Sequence, residues 1–226
     1  MKTFQLQIFK GHPIIQDGDN VILIDTGAPS TIHVSDELNF LSEDFSCTSN
    51  YMGLTSSKLS EHLGMQVTTL LGTDVLSKYK ILLDYRNLQV SFSKDEIPFE
   101  GTEIGISNFM GIPIIELVVN RQLLKFFLDT GAKLSYLSED FTSGYSSVGI
   151  EEDFYPGVGQ FETECYDIPT SLGDIDFVVR YGNLPFMLQM TLMLGGTDGI
   201  IGFDFFNGFK VLMNLKGGIL KYVKMP

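Results

Sequence analysis

Asp25 and Asp129 are the residues best placed to do chemistry, because each ends an apolar run and opens the same quartet. Residues 23–28 read LIDTGA and residues 127–132 read FLDTGA. An aspartate at the end of an apolar strand is partly desolvated, which raises the cost of its charge. Thr26 and Thr130 supply hydroxyls able to tie each loop to a neighbour. Gly27 and Gly131 allow a tight turn that brings backbone N–H groups to the carboxylate. If the two aspartates met, both could not stay ionised at roughly 3 Å, and they would share one proton. One would act as a base toward a water between them, the other as an acid toward a carbonyl or a leaving nitrogen. Hydrolysis of an amide needs both roles at once.

The segments around these quartets repeat. GHPII at 11–15 returns as GIPII at 111–115, and LLGTDVLSKYKILLD at 70–84 returns without a gap as IIGFDFFNGFKVLMN at 200–214. Val90 and Phe92 then match Leu220 and Tyr222. Three segments in the same order imply a duplicated unit of roughly a hundred residues, a normal domain size. We divide the chain at 1–100 and 101–226, with residues 98–108 as the expected linker. The copies differ in one interval. Gly72 follows Asp25 by 47 positions, whereas Gly202 follows Asp129 by 73, an excess of 26 in the second copy.

The elements that must carry the aspartates read as short strands. NVILID, KILLDY, LQVSF, IIELVV, LLKFFLD, DFVVRYG and FKVLMNL are rich in β-branched, Leu and aromatic residues and are bounded by turn residues. RNLQ and LKGG read as hairpin turns. SSKLSEHLG carries a serine cap, helical spacing and a terminal glycine. Asp74 and Asp204 are expected to cap one-turn helices. The fold class is mostly β, with a few short helices.

Composition narrows the rest. Apolar residues make up 44% and aromatics 12%, which fits a globular chain rather than a disordered one. A formal charge of −13 argues against nucleic acid, since phosphate would be repelled. Cys47 and Cys165 are too few for a disulfide framework and lack metal spacing, which fits reduced thiols in a cytoplasmic protein. The first residues alternate like a strand rather than a signal peptide. MLQMTLML is too short to span a membrane.

With both quartets and both LLG/IIG motifs in view, the chain resembles the pepsin and retropepsin aspartic proteases in a single-chain, duplicated form. The resemblance covers both halves. It implies a two-lobed acid-protease fold with pseudo-twofold, closed β-barrel-like lobes. It implies an endopeptidase acting on peptide or protein substrates, without cofactor or metal, as a monomer. Asp25 and Asp129 would be the catalytic dyad, Thr26 and Thr130 would bond across the lobe interface, and Gly27 and Gly131 would contact substrate backbone. Ala28 and Ala132, closer to retropepsins than to pepsins, would also line the substrate. Lacking a hydroxyl there, the dyad would work nearer neutral pH than pepsin's. YPGVGQFETECYDI at 155–168, inside the 26-residue excess, resembles the flap hairpin, with Gly157, Val158 and Gly159 at its tip. The corresponding interval of the first copy reads as loop and helix. One flap would then come from the second half, whereas pepsins take theirs from the first.

Plainer readings stand beside these. A lone Asp-Thr-Gly is a common turn, and the LLG and IIG motifs read as core packing beneath the aspartate loops. His12, His33 and His62 are scattered, with no metal spacing or nucleophile motif. DGDN at 17–20 fails the calcium-loop pattern and is a turn. A rival to catalysis is a protease-like module that grips extended peptides without cleaving them. A small-ligand barrel has no motif in its favour.

Overall fold

The computed structural model describes residues 1–155 and 159–226. About half the chain is in strands and helices are few and short, so the protein is mostly β. No helix among the described residues is long and apolar enough to cross a membrane.

The first copy starts with β1 (Lys2–Gln5), β2 (Gln7–Phe9), β3 (His12–Asp17) and β4 (Asn20–Ile24). The short β5 (Ile32–His33), β6 (Glu37–Phe40) and β7 (Glu43–Ser46) follow. Then come α1 (Ser56–Leu63), β8 (Thr69–Leu71), α2 (Thr73–Leu76), β9 (Lys80–Asp84) and β10 (Gln89–Ser93). Five of these form a sheet in the order β2-β3-β4-β8-β5, while β6 and β7 make a separate hairpin that the sequence did not announce. The α1 cap is Thr55 rather than a serine. Its side chain accepts from the Lys58 N–H, and Gly64 closes the helix in the left-handed conformation.

The second copy opens with β11 (Thr102–Gly105), β12 (Ser107–Phe109), β13 (Ile112–Val119) and β14 (Gln122–Leu128). Next are β15 (Ser135–Leu137), α3 (Glu139–Thr142), β16 (Gly149–Tyr155), β17 (Gly159–Leu172) and β18 (Ile175–Asn183). It ends with α4 (Phe186–Gly195), β19 (Gly199–Ile201), α5 (Phe203–Gly208), β20 (Phe209–Asn214) and β21 (Ile219–Lys224). Its sheet runs β12-β13-β14-β19-β15-β18-β17-β16, and a further β13–β17 pairing closes it on itself. The expectation of two closed barrels is corrected here. The second copy closes because β17 is 14 residues long and reaches β13, whereas no pairing closes the first-copy sheet among the described residues.

The expected linker at 98–108 also moves. Residues 102–105 and 107–109 are strands β11 and β12, so the connection is residues 94–101. MLQMTLML turns out to lie inside α4, whose Phe186, Met193 and Leu194 are exposed.

A six-stranded sheet, β1-β10-β9-β20-β21-β11, takes three strands from each copy. At its centre β9 and β20 run antiparallel with Leu82 opposite Leu212, its own mate in the repeat. Around it lies an aromatic-rich core shared by both copies, with Phe40, Phe92, Phe126, Phe205, Phe206 and Phe209 fully buried. Asp84 at the end of β9 meets Lys210 of β20 at 2.9 Å, a further link between the copies.

Candidate active site

In each copy an apolar strand delivers the aspartate to the same spot. β4 pairs in parallel with β8, and β14 with β19. The ladder then extends by one bond in each, from Asp25 N–H to Leu71 O and from Asp129 N–H to Ile201 O, both 3.0 Å. After the aspartate the chain turns. The Gly27 N–H donates to Asp25 Oδ1 and the Gly131 N–H to Asp129 Oδ1, both at 2.8 Å. Gly72 and Gly202 receive these loops from below. Their N–H groups donate to Thr31 Oγ1 and Ser135 Oγ, both 3.0 Å. A side chain on Gly72 would strike Ser30 and Ala28, and one on Gly202 would strike Ala132. Leu71 and Ile201 beside them are fully buried, so the LLG and IIG motifs are packing floors.

The loops are locked together by threonines. Thr26 Oγ1 donates to Leu128 O at 2.6 Å and accepts from Thr130 N–H at 2.9 Å. Thr130 Oγ1 donates to Ile24 O at 2.7 Å and accepts from Thr26 N–H at 3.0 Å. Both side chains are fully buried, and both hydroxyls have donor and acceptor roles filled.

This lock brings the two carboxyl groups within hydrogen-bonding reach of each other. A Cβ on Gly27 would overlap the Asp129 carboxylate, and one on Gly131 would overlap that of Asp25. The alanines differ from the glycines in what they meet. Ala28 packs against the first-copy cluster around Leu59 and Leu70, and Ala132 against the second-copy cluster around Phe127 and Leu188.

Burial raises Asp25 well above the ordinary aspartate value. The charge and hydrogen bond of Asp129 add to this, against N–H groups of Gly27 and Ala28. Burial also raises Asp129, although bonds from Asp25, Gly131, Ala132 and Gly27 oppose it. Two carboxyl groups so placed hold one proton between them, and their titration belongs to the pair.

Other groups converge that the sequence reading passed over. His12, treated there as an ordinary histidine, bonds through Nδ1 to the Gly131 carbonyl at 2.8 Å. It therefore supports the second aspartate loop from the first copy. The only available sign was that GHPII carries His where GIPII carries Ile. Tyr155, the last described residue of β16, is pushed up to about 12 by burial, by the charges of Asp129 and Asp25, and by Tyr51. Tyr85 is buried against Phe203 and Phe206, and its hydroxyl has no hydrogen-bond partner among the described residues. Its repeat mate is Leu215, so a buried tyrosine there was unforeseeable from the repeat. His33 is an ordinary core residue bonded to Thr69.

The expected flap is a hairpin, longer than residues 155–168. Strands β16 and β17 pair from Gly149 opposite Cys165 to Tyr155 opposite Gly159. Gly159 has φ +92° and no neighbour a side chain would meet. Gly157 and Val158 lie outside the described residues. Asp74 and Asp204 do not cap their helices. Gly72 and Gly202 occupy the cap positions, and the aspartates sit inside the first turn. Asp74 accepts from Thr31 N–H and Oγ1, and Asp204 from Arg180 N–H.

A scan against models of known protein families finds no match for this chain, and a search of curated proteins finds no relative.

Proposed function

We propose that this chain is an aspartic endopeptidase of the pepsin and retropepsin kind, with lobes at 1–100 and 101–226. One observation carries the reading: carboxyl groups from two copies of one repeat lie within hydrogen-bonding reach of each other, each held by its own glycine N–H and packed on the other copy's glycine. The pair shares one proton, so one member acts as the acid and the other as the carboxylate, here Asp25 and Asp129 respectively, and the roles are exchangeable by symmetry of the two loops. A water between them gives a proton to Asp129 as its oxygen bonds to the scissile carbonyl carbon. Asp25 gives its proton to the carbonyl oxygen. The tetrahedral diol then collapses, the nitrogen takes a proton as the C–N bond breaks, and the dyad regains its single proton. This mechanism calls for no covalent intermediate, cofactor or metal. The β16–β17 hairpin would serve as a single flap, Gly131 would offer its carbonyl to substrate beside His12, and Ala28 and Ala132 would line the cleft. A single chain supplies both aspartates, so the working form would be a monomer. Two free thiols, one of them, Cys47, pushed up to about 11 by burial, suit a cytoplasmic setting.

The test is digestion of a proteome-derived peptide library by the wild type, with Asp25→Asn and Asp129→Asn as controls. Cleavage lost in both variants supports the reading; cleavage kept in either one defeats it. A second reading, a peptide-binding module that does not cleave, draws on one observation: the first copy carries helix α1 in the interval where the second copy carries its hairpin. Tight peptide binding with no product from the library would favour it.

A further inference from the structure

Helix α4 leads into β19 as α1 leads into β8, so the two helices hold matching places in the two copies. Each turns a pair of leucines inward at i and i+4: Leu59 and Leu63 in α1, Leu188 and Leu192 in α4. The outward faces differ. Ser57, Lys58 and Glu61 of α1 are exposed, whereas α4 exposes Phe186, Met190, Met193 and Leu194. These four fall at i, i+4, i+7 and i+8, one apolar stripe roughly 12 Å long on the face opposite the buried leucines. Helix α1 shows that this seat in the fold needs only the inner pair, so the outer stripe of α4 is surplus to folding. The stripe is also uncharged: no charged residue lies between Arg180 and Asp198, in a chain whose formal charge is −13.

At the start of the stripe lies a cavity of about 550 Å³, with Leu184 and Pro185, the N-cap of α4, in its wall. Glu139 of α3 and Glu162 and Glu164 of β17 also line it. All three glutamates are exposed, and among the described residues none of them forms an ion pair. The neutral polar groups at the cavity are bonded to one another. Asn183 Nδ2 donates to Thr142 Oγ1 at 2.9 Å, the Asn183 N–H donates to Thr163 Oγ1 at 2.8 Å, and the Tyr166 hydroxyl donates to Glu164 at 2.9 Å. What is left to recognise a ligand is carboxylate oxygen, which accepts and does not donate.

We propose that cavity and stripe form one docking surface for a segment of a partner protein that carries an arginine beside apolar residues. The guanidinium enters the cavity between the glutamates of α3 and β17, and the apolar residues lie along Phe186, Met190 and Met193. Arginine suits the cavity better than lysine, because its planar fork of five donors can serve carboxylates on two elements at once. Charge decides the occupant. A second copy would bring another uncharged stripe and leave the glutamates without a cation. A lipid surface would match the stripe, but α4 has no Lys or Arg to meet headgroups, and the chain's negative charge opposes anionic lipid. The proposal stands whether or not the dyad cleaves peptides.

The probes are fluorescein-labelled dodecapeptides of serine and glutamine that carry one arginine, followed by three leucines at alternate or at helical spacing. Fluorescence anisotropy with the wild-type chain should show saturable binding by at least one of them. Replacing its arginine by citrulline, neutral and of nearly the same shape, should weaken binding about 10-fold, the worth of a hydrogen bond to a charged group. Glu162→Gln with Glu164→Gln should weaken the arginine peptide and leave the citrulline peptide unchanged. Phe186→Ser with Met190→Ser should weaken both peptides alike. Binding by none of the peptides, or equal binding of the arginine and citrulline forms, would overturn the proposal, and the citrulline comparison needs no change to the protein. Binding lost in Asp25→Asn would overturn it too, by placing the peptide at the dyad. A doubled mass in solution or binding to phosphatidylcholine vesicles, with no peptide bound, would assign the stripe to a second copy or to lipid instead.

Discussion

At the scale of single residues, the dyad places opposite demands on activity and on stability. On the proposed function, replacing either aspartate by asparagine removes the acid–base exchange, with an expected loss of at least ~10²–10⁴-fold in kcat, read by peptide turnover. The same change should stabilise the fold. The pair holds its proton more tightly folded than unfolded, so native stability is greatest below the ordinary aspartate range and falls as pH rises through it. Asp129→Asn should therefore resist chemical denaturation better than wild type at pH 7, with the gap closing near pH 4. Asp84 has the opposite sign. Burial pushes it up, but bonds from Asn87 and Lys210 leave it below the ordinary value, so its contribution is present at neutral pH and lost in acid. Asp25 and Asp129 were legible because each sits at the end of an apolar run in a repeated quartet. His12, Tyr155 and Tyr85 were not. Their roles arise from which strand ends the fold brings together, and a residue type at one position carries no trace of that.

Among the elements, the threonine lock sets how firmly the aspartate loops are held. Each hydroxyl is buried and bonded to the other copy, so Thr26→Ala or Thr130→Ala strands a backbone carbonyl and an N–H. A loss of about 1–3 kcal/mol per substitution is expected in urea unfolding, with Thr26→Ser recovering most of it. The central strands were readable because residues 70–84 and 200–214 align without a gap and each half shows strand-type composition. Cap positions were less so. Asp74 and Asp204 are typical capping residues, but Gly72 and Gly202 already occupy the cap in order to clear the loops above, and the aspartates instead bind Thr31 and Arg180. Helix α4 escaped notice because a short, uncharged, apolar run has no polar face to reveal its period. The closure of the second-copy sheet depends on strand length, which no periodicity encodes.

For the molecule as a whole, the central sheet makes each copy the missing edge of the other. Residues 1–100 alone would expose β9, and residues 101–226 alone would expose β20, each as an unpaired strand beside a cut core. Neither fragment is expected to give the cooperative thermal transition of the intact chain, followed by circular dichroism. Mixing them should restore one. The connection between the copies has a geometric consequence of its own. From Ser93 it must reach Thr102 on the far side of the sheet, four strand spacings away and three residues back along the strand. That diagonal is roughly 22 Å at ordinary strand spacings. Nine peptide steps span about 31 Å at full stretch, and six span about 20 Å. The strap can lose a residue but not three: removing three from 94–101 should force the copies apart or drive two chains to exchange halves, visible as a doubled mass by light scattering, whereas lengthening it by the same amount should leave the monomer intact.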